Sequence, residues 1–142
     1  NGNGLAGTPG ISVAASTATV SYSTVARNDD ADTDSLLCTG GVDVRVIDSI
    51  LVGRDAGSVD CPTAVIEFCA TDEPIAGNTE VGAANAAWFI NVTGGNFSLT
   101  PLGATVFDGI AQWDDGDPPF DIDGDPRPTT SGTPDYAGAD IP

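Results

Sequence analysis

Thr19-Val20-Ser21-Tyr22-Ser23-Thr24-Val25-Ala26 lies over Arg45-Val46-Ile47-Asp48-Ser49-Ile50-Leu51-Val52 at a constant offset of 26, and the match runs on to Asp29 over Asp55. A looser third copy, Val65-Ile66-Glu67-Phe68-Cys69-Ala70, follows at an offset of 19. Each copy is a β-branched run, a polar residue, a small residue and a second apolar run. Stretches rich in Gly, Asp and Pro separate the copies. A unit this short buries too little apolar surface to fold alone, whereas stacked units bury one another. The repeat therefore predicts parallel strands about 4.8 Å apart, piled in register. Tyr22, Asp48 and Glu67 are expected at bends, with Val20, Val46, Ser23, Ser49, Val25 and Leu51 pointing inward.

Working outward, residues 1–77 are expected to form these stacked β units. Residues 78–142 are expected to supply the last unit and an irregular C-terminal cap, all within one continuous domain of a longer protein. Ala83–Trp88 suggests a short helical turn. After Asp108 the prolines 119, 126, 128 and 134 exclude regular helix and confine any strand to an edge. The spaced aromatics Phe107, Trp113, Phe120 and Tyr136 argue for an ordered cap. Nothing before Ile11 reads as a cover for the first unit, so upstream units or self-association through that end are expected.

Composition agrees with β structure and many turns: 18 Gly, 10 Pro, three Glu and no Lys or Met among 142 residues. The net charge is −17, from 21 acidic residues against Arg27, Arg45, Arg54 and Arg127. Such a surface repels phosphate backbones and anionic lipid, which argues against nucleic-acid binding. It reads as a solubilising coat or as a surface for divalent cations. No segment approaches the roughly 18 apolar residues needed to span a bilayer. Three cysteines, Cys38, Cys61 and Cys69, allow one internal disulfide, either Cys61–Cys69 or Cys38–Cys61, in an oxidising compartment. The lack of His and of Cys-x-x-Cys spacing disfavours zinc and haem.

The C-terminal pattern carries a resemblance. Trp88-Phe89-Ile90-Asn91, Gly95-Asn96-Phe97-Ser98-Leu99-Thr100-Pro101 and Val106-Phe107-Asp108-Gly109 come in that order. Asp121-Ile122-Asp123-Gly124-Asp125-Pro126-Arg127-Pro128 and Pro134-Asp135-Tyr136-Ala137-Gly138-Ala139-Asp140 follow. This series resembles the ending of secreted bacterial surface proteins of the pectate-lyase-like, choice-of-anchor type. The resemblance implies an all-β fold of right-handed parallel β-helix coils with an irregular C-terminal cap, and a secreted, extracellular or cell-surface location. The chain departs from that pattern at Tyr136-Ala137 and Asp140. Fold alone confers no activity.

Chemistry has few places to sit. Asp121, Asp123 and Asp125 flank Gly124 with a spacing that can wrap calcium, the one cofactor the sequence suggests. The same residues equally suit a tight turn, with carboxylates capping N–H groups and Gly124 at positive φ. Arg127 is expected to pair with one of these carboxylates or with Asp135. Asp29, Asp30 and Asp55 could gather carboxylates at strand ends, and repeated turn aspartates give the same pattern without catalysis. A polysaccharide lyase would have to use Arg27, Arg45 or Arg54 as its base, which arginine does poorly. Tyr22, Trp88, Trp113 and Tyr136 suit sugar stacking if exposed in a row, and core packing otherwise. These readings favour a non-catalytic structural, adhesive or glycan-binding surface protein, assembling end to end. The alternative is a fragment of a lyase or glycoside hydrolase acting on acidic polysaccharide.

Overall fold

In a computed structural model of the chain, described for residues 9–26, 34–41, 43–55 and 57–142, the strands come in triplets. The first is β1 (Ile11–Ala14), β2 (Thr17–Ser21) and β3 (Thr24–Ala26). The second is β4 (Leu36–Thr39), β5 (Asp43–Ile47) and β6 (Ile50–Val52). The third is β7 (Val59–Asp60), β8 (Val65–Glu67) and β9 (Ala70–Thr71), followed by β10 (Thr79–Glu80). Equivalent strands pair in parallel, giving sheets ordered β1-β4-β7, β2-β5-β8 and β10-β9-β6-β3. The offset of 26 is the register of two of these ladders: Val20 pairs with Val46, and Val25 with Leu51. The third copy is shifted by 20 rather than 19, since Arg45 pairs with Val65 and Ile50 with Ala70.

That shift moves the third bend. Tyr22 and Asp48 sit in the left-handed region at φ 43° and 54°, and the next member is Phe68 at 55°, with Gly77 continuing at 83°. Glu67 instead stays in β8 opposite Ile47, and its carboxylate meets Arg45 at 3.2 Å on the exposed face. Side chains without a glycine's freedom resist this conformation by about 1–2 kcal/mol each. A ladder one residue further on offsets that strain. The Ser23 N–H donates to Ser49 Oγ at 3.1 Å, the Ser49 N–H to Cys69 Sγ at 3.4 Å, and the Cys69 N–H to Asn78 Oδ1 at 2.9 Å. Asn78 ends the column by donating through Nδ2 to the Ile66 carbonyl at 2.7 Å.

One core lies where the three parallel sheets face each other and holds Val13, Leu36, Val44, Val46, Leu51, Cys61, Ile66 and Cys69. The disulfide is Cys38–Cys61, which joins β4 to the residue that follows β7 at a Cα–Cα distance of 4.7 Å; Cys69 is a free, buried thiol. Closing a 23-residue span in the unfolded chain corresponds to about 3 kcal/mol. The double variant C38S/C61S is accordingly expected to lose about 3 kcal/mol, read from urea unfolding with the m-value fitted separately for each protein, because the uncrosslinked denatured chain exposes more surface.

A second core lies on the opposite face of the sheet containing β6. Ala26, Ile50, Val52 and Ala70 contact Trp88, Phe89, Leu99, Phe107, Ala111, Trp113 and Ala137 there. The C-terminal half supplies this layer. A 3-10 turn (Ala86–Trp88), capped by the Asn85 side chain, leads into β11 (Phe89–Asn91), antiparallel to β12 (Asn96–Leu99). Helix α1 (Pro101–Phe107) follows, with the Thr100 hydroxyl accepting from the Gly103 N–H and Pro101 in the first turn. Gly103 lets the helix sit on the Trp88 carbonyl, where any Cβ would collide with the oxygen. Finally β13 (Ala111–Trp113) pairs antiparallel with β14 (Thr133–Asp135).

This arrangement corrects the expected fold class. A right-handed parallel β-helix with an end cap is not what the chain builds: among the described residues its strands divide into five small sheets of two to four strands, and pairing is antiparallel from Phe89 onward. The parallel ladders are short, two to five residues long. The C-terminal half covers the face of one sheet and is not stacked on its end. All three residues of β6 are consequently buried, on both faces of the sheet. The repeat fixes pairing between neighbouring strands, but it carries no information on how often pairing recurs or on what lies behind the sheet.

Candidate functional site

A buried cluster of ionisable groups lies where the bend column meets the C-terminal layer. Tyr22 and Asp48 come from successive bends, and Arg127 and Asp135 from the chain crossing them. Arg127 is 3% exposed, and its guanidinium donates from Nη1 to Asp135 Oδ2 at 2.8 Å and from Nη2 to the Gly138 carbonyl at 2.9 Å. It stacks on the Tyr22 ring, 4.1 Å from the centroid. Its Nε has no acceptor among the described residues. The expected alliance of Arg127 with Asp135 is thus present, and Tyr22 adds a partner that sequence distance concealed.

Asp48 is also buried. Its Oδ1 accepts from the Gln112 N–H at 2.9 Å, and its carbonyl accepts from the Gly138 N–H at 2.9 Å. Burial pushes its carboxyl up to about 6; the Gln112 bond opposes this, while Asp117, Asp114 and Asp135 reinforce it. The Tyr22 hydroxyl reaches Asp117 at 3.4 Å, and burial followed by the charges of Asp48 and Asp117 holds it well above the usual phenol range. The Cys69 thiol is pushed up to about 12, chiefly by burial, so it is inert as a nucleophile at neutral pH.

A carboxyl raised in the folded state is most favourable while protonated. The contribution of Asp48 is complete below pH about 4, the unfolded value, and is lost as pH rises through about 6. Asp48→Asn keeps an oxygen for the Gln112 N–H and tolerates the left-handed backbone. It is expected to raise Tm above wild type at pH 7.5 and to match wild type at pH 4, by parallel thermal melts.

The turn at Asp121 is closed by its own carboxylate. Asp121 Oδ1 accepts from the N–H groups of Asp123, Gly124 and Asp125 at 3.0, 2.8 and 2.8 Å, and Oδ2 from Ile141 at 3.0 Å. Although burial raises it, these bonds outweigh that and hold the carboxyl below its ordinary value. Gly124 takes φ 94°, as a tight turn requires. Asp125 is exposed, and Asp123 interacts with Asp140, whose Oδ2 accepts from the Leu99 N–H at 2.7 Å. Burial raises the Asp140 carboxyl, and the bond from Leu99 opposes it; Asp121 and Asp123 add to the rise. Both Asp121 oxygens are therefore engaged by backbone. No set of three or more His, Cys, Asp or Glu side chains converges on a metal position among the described residues.

The remaining candidates disperse. Arg27, Asp29 and Asp30 lie outside the described residues, Asp55 is exposed, and Arg45 is bound to Glu67. Trp88, Trp113 and Tyr22 are buried, so they form no exposed row for sugar stacking. A groove of about 460 Å³ runs past Tyr22, Thr24 and Arg127, rimmed by the exposed apolar side chains Phe120 and Ile122. Sequence reasoning missed Asp48 as a buried acid and Asp72 altogether. Asp72 accepts from Gly53 and Ser58 N–H groups at 2.6 and 3.3 Å and pins the loop between β6 and β7.

Comparison of the chain with protein-family models, with curated proteins and with solved structures finds no match. No helix among the described residues is long and apolar enough to cross a membrane. One disulfide is present.

Proposed function

We propose that this chain is an extracellular, non-catalytic structural or adhesive protein. One observation carries the reading: the buried charged side chains Asp48, Asp72, Arg127 and Asp140 are tied to backbone groups of other segments. Asp48 holds Gln112, Asp72 holds Gly53 and Ser58, Arg127 holds Gly138, and Asp140 holds Leu99. Groups bonded in this way act as pins between segments, and a general acid or base needs a free, accessible face. A disulfide suits an oxidising compartment, and a charge of −17 favours solubility. The resemblance of residues 88–140 to the endings of secreted surface proteins points the same way.

The test is incubation with acidic polysaccharides, with and without calcium, followed by ultraviolet absorbance of unsaturated uronate and by reducing-end assay. The expected result is no product under either condition. Product release at any calcium level would overturn the non-catalytic reading. Protein recovered from its native compartment should show one titratable thiol after unfolding; three would contradict the extracellular assignment.

A further inference from the structure

Asp48 is where two passes of the C-terminal layer rest on the parallel region. Its Oδ1 takes the Gln112 N–H of β13 at 2.9 Å, and its carbonyl takes the Gly138 N–H at 2.9 Å. Gly138 is seated so closely that a Cβ there would lie 2.6 Å from Thr24 Oγ1 and 2.7 Å from Ile50 Cδ1. Asp48 is 2% exposed and occupies the middle bend, between those at Tyr22 and Phe68. The strands that flank it, β5 and β6, are each paired on both edges. Its burial therefore does not depend on what lies beyond the first triplet.

Most charges around this residue share its sign. Asp114 and Asp117 act on it from β13 and the loop that follows, and Asp135 from β14. Tyr22 acts from the preceding bend, and the Cys69 thiol, kept protonated by burial, from the following one. Glu67 accepts the Asp48 N–H through its carbonyl at 3.3 Å, but its carboxylate is on Arg45 at the exposed face. Arg127, stacked on Tyr22, is committed to Asp135 and the Gly138 carbonyl, so Asp48 has no ion pair among the described residues. An ionised carboxylate so placed is stripped of water and repelled by three others. A protonated one keeps the Gln112 bond and escapes the repulsion. We propose that Asp48 is a proton-operated latch: its protonated form holds β13 and the last segment against the bends, and ionisation favours their release. Release would take Ala111, Trp113 and Ala137 from the second core and bare Ile50 and Val52. Because folding raises this carboxyl, the hold is complete below pH about 4 and is lost as pH rises through about 6. Acid tightens the layer, and neutral medium loosens it.

Native-state hydrogen exchange on the whole chain from pH 4 to 7.5, corrected for the intrinsic rate at each pH, tests this. Protection of the Gln112 and Gly138 amides should fall by about fiftyfold across the range, with its midpoint near pH 6. At pH 7.5 both should exchange at least about tenfold faster than the amides of β5, because the layer opens while the parallel region stays folded. Asp48→Asn should keep their protection at pH 7.5 near its pH 4 level. A second measurement needs no variant: the carbon-13 shift of the Asp48 carboxyl in the wild-type chain should titrate with the same midpoint. Exchange of both amides in step with β5 at every pH would show global unfolding alone and overturn the latch. So would an Asp48 carboxyl that titrates below pH 5, or the wild-type pH dependence persisting in D48N.

Discussion

Replacing Arg127 with alanine is expected to destabilise the protein by about 3–5 kcal/mol, because it leaves the Asp135 carboxylate buried without its partner. Both members of the pair are nearly inaccessible, at 1% and 4% side-chain exposure, so solvent cannot take over the role of the guanidinium. The same change removes the donor to Gly138 and uncovers the face of Tyr22. The loss should appear as a lower urea midpoint, with early unfolding of the segment after Trp113 under native-state hydrogen exchange. The apolar double variant R127M/D135L should recover much of it, since the desolvation of both charges disappears together. A loss under 1 kcal/mol for R127A would show that the ion pair is not what fixes the C-terminal layer.

The second large effect is expected at Phe107. This side chain is wholly buried, with ring centroids 5.3 Å from Trp88 and 6.1 Å from Phe89. Its carbonyl accepts from the Ala137 N–H, so it also marks where the last segment crosses helix α1. Phe107→Ala should cost about 3–5 kcal/mol in stability, the transfer and cavity terms adding. Phe107→Leu should cost much less, and near-ultraviolet circular dichroism should lose the tryptophan signal in the alanine variant only. Equal losses for alanine and leucine would indicate that the aromatic contacts, and not volume, dominate.

Part of this organisation is written in residues 19–52, where two β-branched runs with the same bend chemistry lie one above the other. Pairing of Val20 with Val46 follows from that likeness, because a one-residue slip would turn every inward side chain outward. The third copy was less legible, since its shorter loop shifts the register by one and makes Phe68 the bend. Helix α1 was concealed by Gly103, Thr105 and Val106, poor helix formers, although Thr100-Pro101 is a recognisable start. The second core was hidden for a different reason. Ile50-Leu51-Val52 reads equally as a strand buried on one face or on both, and Trp88, Phe107 and Trp113, which cover it, lie far along the chain. Only the unbroken apolar run hinted at two-sided burial.

The candidate site divides in the same way. The turn at Asp121 and Gly124 is local, and its capping geometry follows from spacing alone. The choice of Cys61 for Cys38 required knowing that β4 and β7 are neighbours, which sequence left open against Cys69. Asp48 stood out as a bend residue, yet its burial depends on Gln112, 64 positions away.

Hydrogen exchange at β6 bears most directly on the fold presented here. If Ile50, Leu51 and Val52 lie between two cores, their amides should exchange only by global unfolding and share the slowest rate in the chain. Truncating Phe107 should accelerate them by the factor its stability loss dictates. Should these amides exchange as fast as those of the outer strand β2, or ignore Phe107→Ala, the C-terminal half does not cover that sheet and the two-core arrangement is wrong.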